Sequence, residues 1–91
     1  MINLLITHEG LRLKPYRCAA GKLTIGVGRN LEDVGITEEE ALYLLKNDIR
    51  RVINELKDVL PFWNELSKTR QEALIDMCFN LGLSRFWALK R

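Results

Sequence analysis

Glu9 is the residue of this 91-residue chain best placed for proton chemistry. It follows a short apolar stretch, Ile2, Leu4, Leu5 and Ile6, that reads as a helix over residues 1–8 with its apolar side toward a core. The stretch ends near Gly10, where a left-handed cap is easy. A carboxyl at a helix end among apolar side chains loses hydration, which favours the protonated acid and suits it to protonate a leaving-group oxygen. Hydrolysis also needs a group that positions or deprotonates the attacking water, or that attacks carbon directly. Cys18 and Thr24 follow at short range. A free thiol titrates near pH ~8.5 and is mostly neutral at neutral pH, so it is a weaker base than a carboxylate unless a cation such as Arg17 favours the thiolate. Taken singly, Glu9 reads as an exposed charge, Cys18 as a small buried hydrophobe and Thr24 as a strand former. His8 diverges from Glu9 by about 100° around a helix and forms no dyad with it.

The elements that would position these residues can be read from periodicity. Leu11 and Leu13 alternate with basic residues, Pro15 halts helix, and Leu23, Ile25 and Val27 alternate with Thr24, Gly26 and Gly28. This period of two predicts a hairpin turning through Ala19, Ala20, Gly21 and Lys22. One face of its second strand carries only Thr24 and two glycines, which leaves room for a bulky ligand, although the glycines could equally mark a bulge. Thr37 and Glu40 form a capping box, and Leu42, Leu45, Ile49, Val52, Ile53, Leu56 and Leu60 then recur at helical spacing until Pro61. Phe62, Trp63 and Leu66 make an apolar connector, with Trp63 read as core. Ser67 or Thr69 can cap a third helix running through Leu81 and ended by Gly82. Its apolar face, Ala73, Leu74, Met77, Cys78 and Leu81, predicts a core helix that needs partners.

Composition narrows the class. Apolar residues make up 47% and charged residues 29%, as in a folded globular chain. A net charge of +2 is too small for phosphate neutralisation, so no nucleic-acid partner is expected. No stretch approaches the roughly 18 to 20 apolar residues that span a bilayer. The apolar start lacks a preceding basic region and a following cleavage site, so no signal peptide is expected. Cys18 and Cys78 offer neither a CxxC pair nor zinc spacing, and reduced thiols, no metal and no cofactor are expected.

The segment from Thr7 to Cys18, continuing through Gly21 to Gly28, resembles the catalytic signature of phage lysozymes, the endolysin muramidases of glycoside hydrolase family 24. In that family a Glu at the end of the first helix is followed after eight residues by Asp or sometimes Cys, and after five more by Thr. Glu9, Cys18 and Thr24 occupy those positions. The strings HEGLRLKPY, TIGVGRNL, TEEEA and ALIDMCFNLG extend the resemblance along the chain. It implies that Glu9 is the general acid and that Cys18 and Thr24 hold a water attacking the opposite sugar face. The implied partner is peptidoglycan, cut between N-acetylmuramic acid and N-acetylglucosamine. Gly26, Gly28 and Asn80 would contact substrate, and the enzyme would be made in the host bacterial cytoplasm and reach the wall after release.

The expected fold is α+β and lysozyme-like: one domain over 1–91, with a catalytic hairpin lobe (1–36) followed by a long helix and an incomplete helical lobe (37–91). Members of the family continue through further helices that wrap the ALIDMCFNLG helix. An uncovered helical face therefore predicts self-association into a homo-oligomer, an exchanged element or a missing segment. The alternative function is a truncated, catalytically silent peptidoglycan-binding or interaction domain.

Overall fold

The computed structural model of the chain describes residues 1–81. The elements run α1 (Ile2–Glu9), β1 (Arg12–Arg17), β2 (Leu23–Gly26), β3 (Arg29–Asn30), α2 (Glu38–Val59), a 3-10 turn (Trp63–Glu65) and α3 (Lys68–Leu81). Helices with a small antiparallel sheet are the α+β, lysozyme-like arrangement expected from the sequence. The chain divides into two compact units, Met1–Glu40 and Ala41–Arg91. The expectation that Gly82 ends the third helix lies outside the described residues.

The first unit is built on the sheet, in the order β1-β2-β3. β1 pairs antiparallel with β2 through Arg12 with Gly26, Tyr16 with Thr24 and Arg17 with Leu23, and the register shifts between Arg12 and Tyr16. Pro15 sits in that irregular stretch of an edge strand, where a missing N–H breaks no ladder. The turn closes as expected: the Cys18 N–H donates to the Lys22 carbonyl at 3.0 Å and the Gly21 N–H to the Cys18 carbonyl at 2.8 Å.

The third strand was not anticipated. Ile25 pairs with Arg29 and Thr24 with Asn30, so Gly26, Val27 and Gly28 form a tight link rather than the exposed face of one long strand. Both glycines have positive φ, +71° and +72°, which a reversal of this kind requires. α1 departs from expectation in two ways. Gly10 caps it with φ 79° and ψ 157°, which is not the left-handed conformation, although its N–H still donates to the Ile6 carbonyl at 2.8 Å. No α1 residue is buried among the described residues, and Ile2, Leu4 and Leu5 are exposed. A sheet of such short strands offers little surface to cover a helix.

The second unit gathers around Val52, Leu56, Trp63 and Cys78, with Ile53, Val59, Leu60, Leu66, Leu74 and Ile75 packed against them. The capping box of α2 forms as predicted: the Glu40 N–H donates to Thr37 Oγ1 at 3.1 Å and the Thr37 N–H to Glu40 Oε1 at 2.9 Å. Ser67 caps α3, accepting from the Arg70 N–H at 3.2 Å. Trp63 is core, as read from the sequence, and Gln71 Nε2 donates to its carbonyl at 2.9 Å. On α3 Cys78 is buried, Leu74 and Ile75 pack against the core, and Met77 and Phe79 are exposed, the incompletely covered apolar face expected from the sequence. Two helices and a turn enclose one row of α3 side chains and leave its broader apolar face unfilled.

Candidate active site

Glu9 closes α1, and Gly10 turns the chain from it into β1. Its side chain is exposed rather than set among apolar groups. It rests instead on Gly28. A β-carbon built there would stand 3.3 Å from Glu9 Oε2, 3.6 Å from Cδ and 3.7 Å from Cγ, so the missing side chain is what lets the carboxyl lie against the β2–β3 link. Gly26 has open space on its corresponding side. Both glycines, expected to contact substrate, line an open depression of about 560 Å³ with Ile25, Val27, Arg29, Asn30 and Val34.

Arg29 secures the far end of this link. Its Nη2 lies 2.6 Å from Glu40 Oε2 and its Nη1 donates to the Gly35 carbonyl at 3.2 Å. Glu40 thus receives the Thr37 N–H on one carboxylate oxygen and the Arg29 guanidinium on the other. The Thr37 N–H is the main influence holding its carboxyl below the usual range, desolvation opposes it, and the Thr37 side chain and the Arg29 charge add smaller lowering contributions.

Cys18 opens the β1–β2 turn as a free, half-buried thiol. The backbone at Lys22 is the main influence holding it below the usual thiol range, followed by the Thr24 hydroxyl and the backbone at Ala20, with desolvation opposing. Thr24 is itself buried, and its hydroxyl lies 2.8 Å from the Lys22 carbonyl. One hydroxyl proton can serve that carbonyl while sulfur is neutral and turn to sulfur when the thiolate forms.

The cation expected to favour the thiolate is engaged elsewhere. Arg17 Nη1 lies 2.8 Å from Glu32 Oε1 and 3.2 Å from the Gly21 carbonyl, and Glu32 Oε1 also accepts the Leu23 N–H at 3.0 Å. Peptide groups and a hydroxyl therefore replace Arg17 as the source of the thiol's acidity. The roles of Arg29 and Glu32 went unread, because an arginine and a glutamate in loops look like ordinary solvated charges. Asn80 belongs to the second unit, where its Nδ2 lies 3.3 Å from Asp76 Oδ2, one turn back on α3.

Chemically, the first unit presents an exposed carboxyl able to exchange a proton with a bound molecule. It also presents a sulfur whose anion is favoured beside a hydroxyl. Among the described residues no three His, Cys, Asp or Glu side chains gather to hold a metal ion, and no helix is long and apolar enough to cross a membrane.

The chain is 37% identical over 87 residues to an endolysin of Acyrthosiphon pisum secondary endosymbiont phage 1, covering 91% of this chain and 58% of that protein. It is 33% identical over 93 residues to the endolysin of Salmonella phage P22, covering 93% and 62%. It is 32% identical over 88 residues to an endolysin of Bacillus phage B103, covering 90% and 33%. The chain thus spans between about a third and three-fifths of the length of these relatives. The phage lysozyme family model matches residues 6–90, a stretch that takes in Glu9, Cys18, Thr24 and every strand of the sheet. The chain belongs to the phage lysozyme family.

Proposed function

We propose that the chain is a muramidase that hydrolyses the β-1,4 bond between N-acetylmuramic acid and N-acetylglucosamine in peptidoglycan. Glu9 gives its proton to the leaving oxygen as the glycosidic C–O bond breaks. A water held by Thr24 and Cys18 bonds through its oxygen to the anomeric carbon and passes its proton to the Cys18 sulfur. Exchange with solvent then returns the proton to Glu9 and removes the one on sulfur.

The observation that carries this reading is the environment of Cys18. An ordinary thiol is a poor base at neutral pH, whereas here the backbone at Lys22 and the Thr24 hydroxyl favour the thiolate. Family membership supports wall lysis as the setting, since the relatives are endolysins. Gly26 and Gly28, in the depression beside the sheet, and Asn80 on α3 are the proposed substrate contacts. Synthesis in the host cytoplasm and delivery to the wall after release complete the reading.

Release of reducing ends from purified sacculi by wild type, Glu9→Gln and Cys18→Asp tests it. Activity abolished by Glu9→Gln and kept or raised by Cys18→Asp is expected. Equal release by all three would overturn it. Sacculus binding without any release would instead favour a silent wall-binding domain.

A further inference from the structure

We propose that Arg29 is a positioning residue for the Glu9 carboxyl, acting through the neighbouring Gly28; this rests on Glu9 being the proton donor. The Glu9 side chain lies against Gly28, where even a β-carbon would come within 3.3 Å of Oε2. Gly28 is thus one wall of the space the carboxyl occupies, and the β2–β3 link decides where that wall stands. The sheet anchors that link over a short stretch, because β3 has two residues, pairing Thr24 with Asn30 and Ile25 with Arg29, and one more backbone bond follows from the Leu31 N–H to the Leu23 carbonyl at 2.8 Å. A ladder this short is marginal without other support.

Arg29, directly after Gly28, supplies the support. Its fork grips the Gly35 carbonyl with Nη1 and Glu40 Oε2 with Nη2. Glu40 is a firm post because its other oxygen accepts the Thr37 N–H and its own N–H donates to Thr37 Oγ1. Three segments, β3, the loop at Gly35 and the first turn of α2, are thus tied at one side chain. The ion pair is about two-fifths exposed on each side, so its worth to global stability is small. Its value lies in geometry: a planar fork fixes direction at two acceptors at once, which an ammonium cannot. Arg29 also borders the depression beside Gly26 and Gly28, so KM is read apart from kcat: a contact with substrate would move KM, whereas placement of Glu9 moves kcat and the Glu9 couplings.

The test compares wild type, Arg29→Lys, Arg29→Ala and Glu40→Gln with Ser67→Ala, which removes the α3 cap in the second unit and serves as a purely destabilising control. Three-bond couplings of the Glu9 side chain, measured by NMR, report its rotamer whether or not the chain is active. kcat and KM for reducing-end release are measured alongside. Arg29→Ala is expected to average the Glu9 couplings and lower kcat ~10-fold, a fraction of the ~100-fold that a 1 Å misplacement brings, with KM little changed. Arg29→Lys and Glu40→Gln should fall between it and wild type, and Ser67→Ala should leave the couplings alone. Couplings unchanged in Arg29→Ala, or changed equally in Ser67→Ala, would overturn the inference. Wild-type activity in Glu9→Gln would instead overturn the proton-donor reading, with the couplings still deciding whether Arg29 places the carboxyl.

Discussion

Replacing Gly28 with alanine imposes two separable penalties. The first is conformational: φ is +72°, and an L-residue held there costs about 1–2 kcal/mol. For a chain of this size each kcal/mol lowers Tm by roughly 4–8 °C, so a drop of about 4–16 °C is expected. The second is local, because the new methyl would stand 3.3 Å from Glu9 Oε2, the mobile end of a side chain that can give way by a few tenths of an ångström. If a full ångström of misplacement costs about 100-fold in rate, a few tenths cost roughly 3- to 10-fold. Gly21→Ala is the control: φ is +78°, and a β-carbon there meets nothing within 4 Å. Thermal unfolding and reducing-end release would be measured on both. Both variants should lose similar Tm, while Gly28→Ala alone loses kcat when assayed well below its own unfolding transition. Equal kcat losses, or an unchanged kcat in Gly28→Ala, would refute the idea that this glycine shapes the setting of the acid.

The remaining expectations concern titration and packing. Alkylation of Cys18 by iodoacetamide should reach half its maximal rate below the pH of ~8.5 typical of a free thiol, and Thr24→Val should move that midpoint upward; an unshifted wild-type midpoint would contradict the assignment. Between the folded and unfolded pKa of this thiol the unfolded chain binds more protons. Stability should therefore rise with pH across that window, and the gain should disappear in Cys18→Ser. Glu40 has a depressed pKa, so its contribution should be complete above about pH 4.3 and lost as pH falls through the lower folded value. Urea midpoints from pH 6 to pH 3, as rough bounds around that carboxyl range, should converge for wild type and Glu40→Gln at the acid end; a constant gap would count against it. Leu56→Ala, at a site 1% exposed, should cost about 2–5 kcal/mol by urea unfolding, and a cost near zero would mean that the second unit's core is misplaced.

The features legible in the sequence are those whose cause is local. The capping box of Thr37 and Glu40 and the period of α2 involve neighbours one turn apart, and both appear in the structure as read. The β1–β2 hairpin was equally readable, because alternation and a small-residue turn fall within one short stretch. β3 was missed because two residues are too few to express a period. The clue that could have exposed it was the pair of glycines two apart, each at positive φ, which marks a reversal. The link from Arg29 to Glu40 could not be read, since nothing in either residue's surroundings names its partner. The same holds for Arg17, whose pairing with Glu32 removes it from the role that adjacency to Cys18 had implied. For α1, apolar periodicity identified the helix correctly but overstated burial, because a pattern says which face is apolar and not whether anything lies against it.

The two reactive groups depend on folding to different depths. The acidity of Cys18 is assembled inside the short segment Cys18–Thr24, from peptide groups and a hydroxyl that one turn brings together. The seat of Glu9 is assembled from parts far apart in the chain: the end of α1, the link at Gly28, and the Arg29 tether that reaches the start of α2. Local opening of the first turn of α2 would loosen the tether on the carboxyl while leaving β2, β3 and the sulfur's surroundings whole. Mild heating or denaturant should then produce a state in which Cys18 still reacts as an acidic thiol although hydrolysis has stopped, so that activity fails before the thiol's own chemistry does.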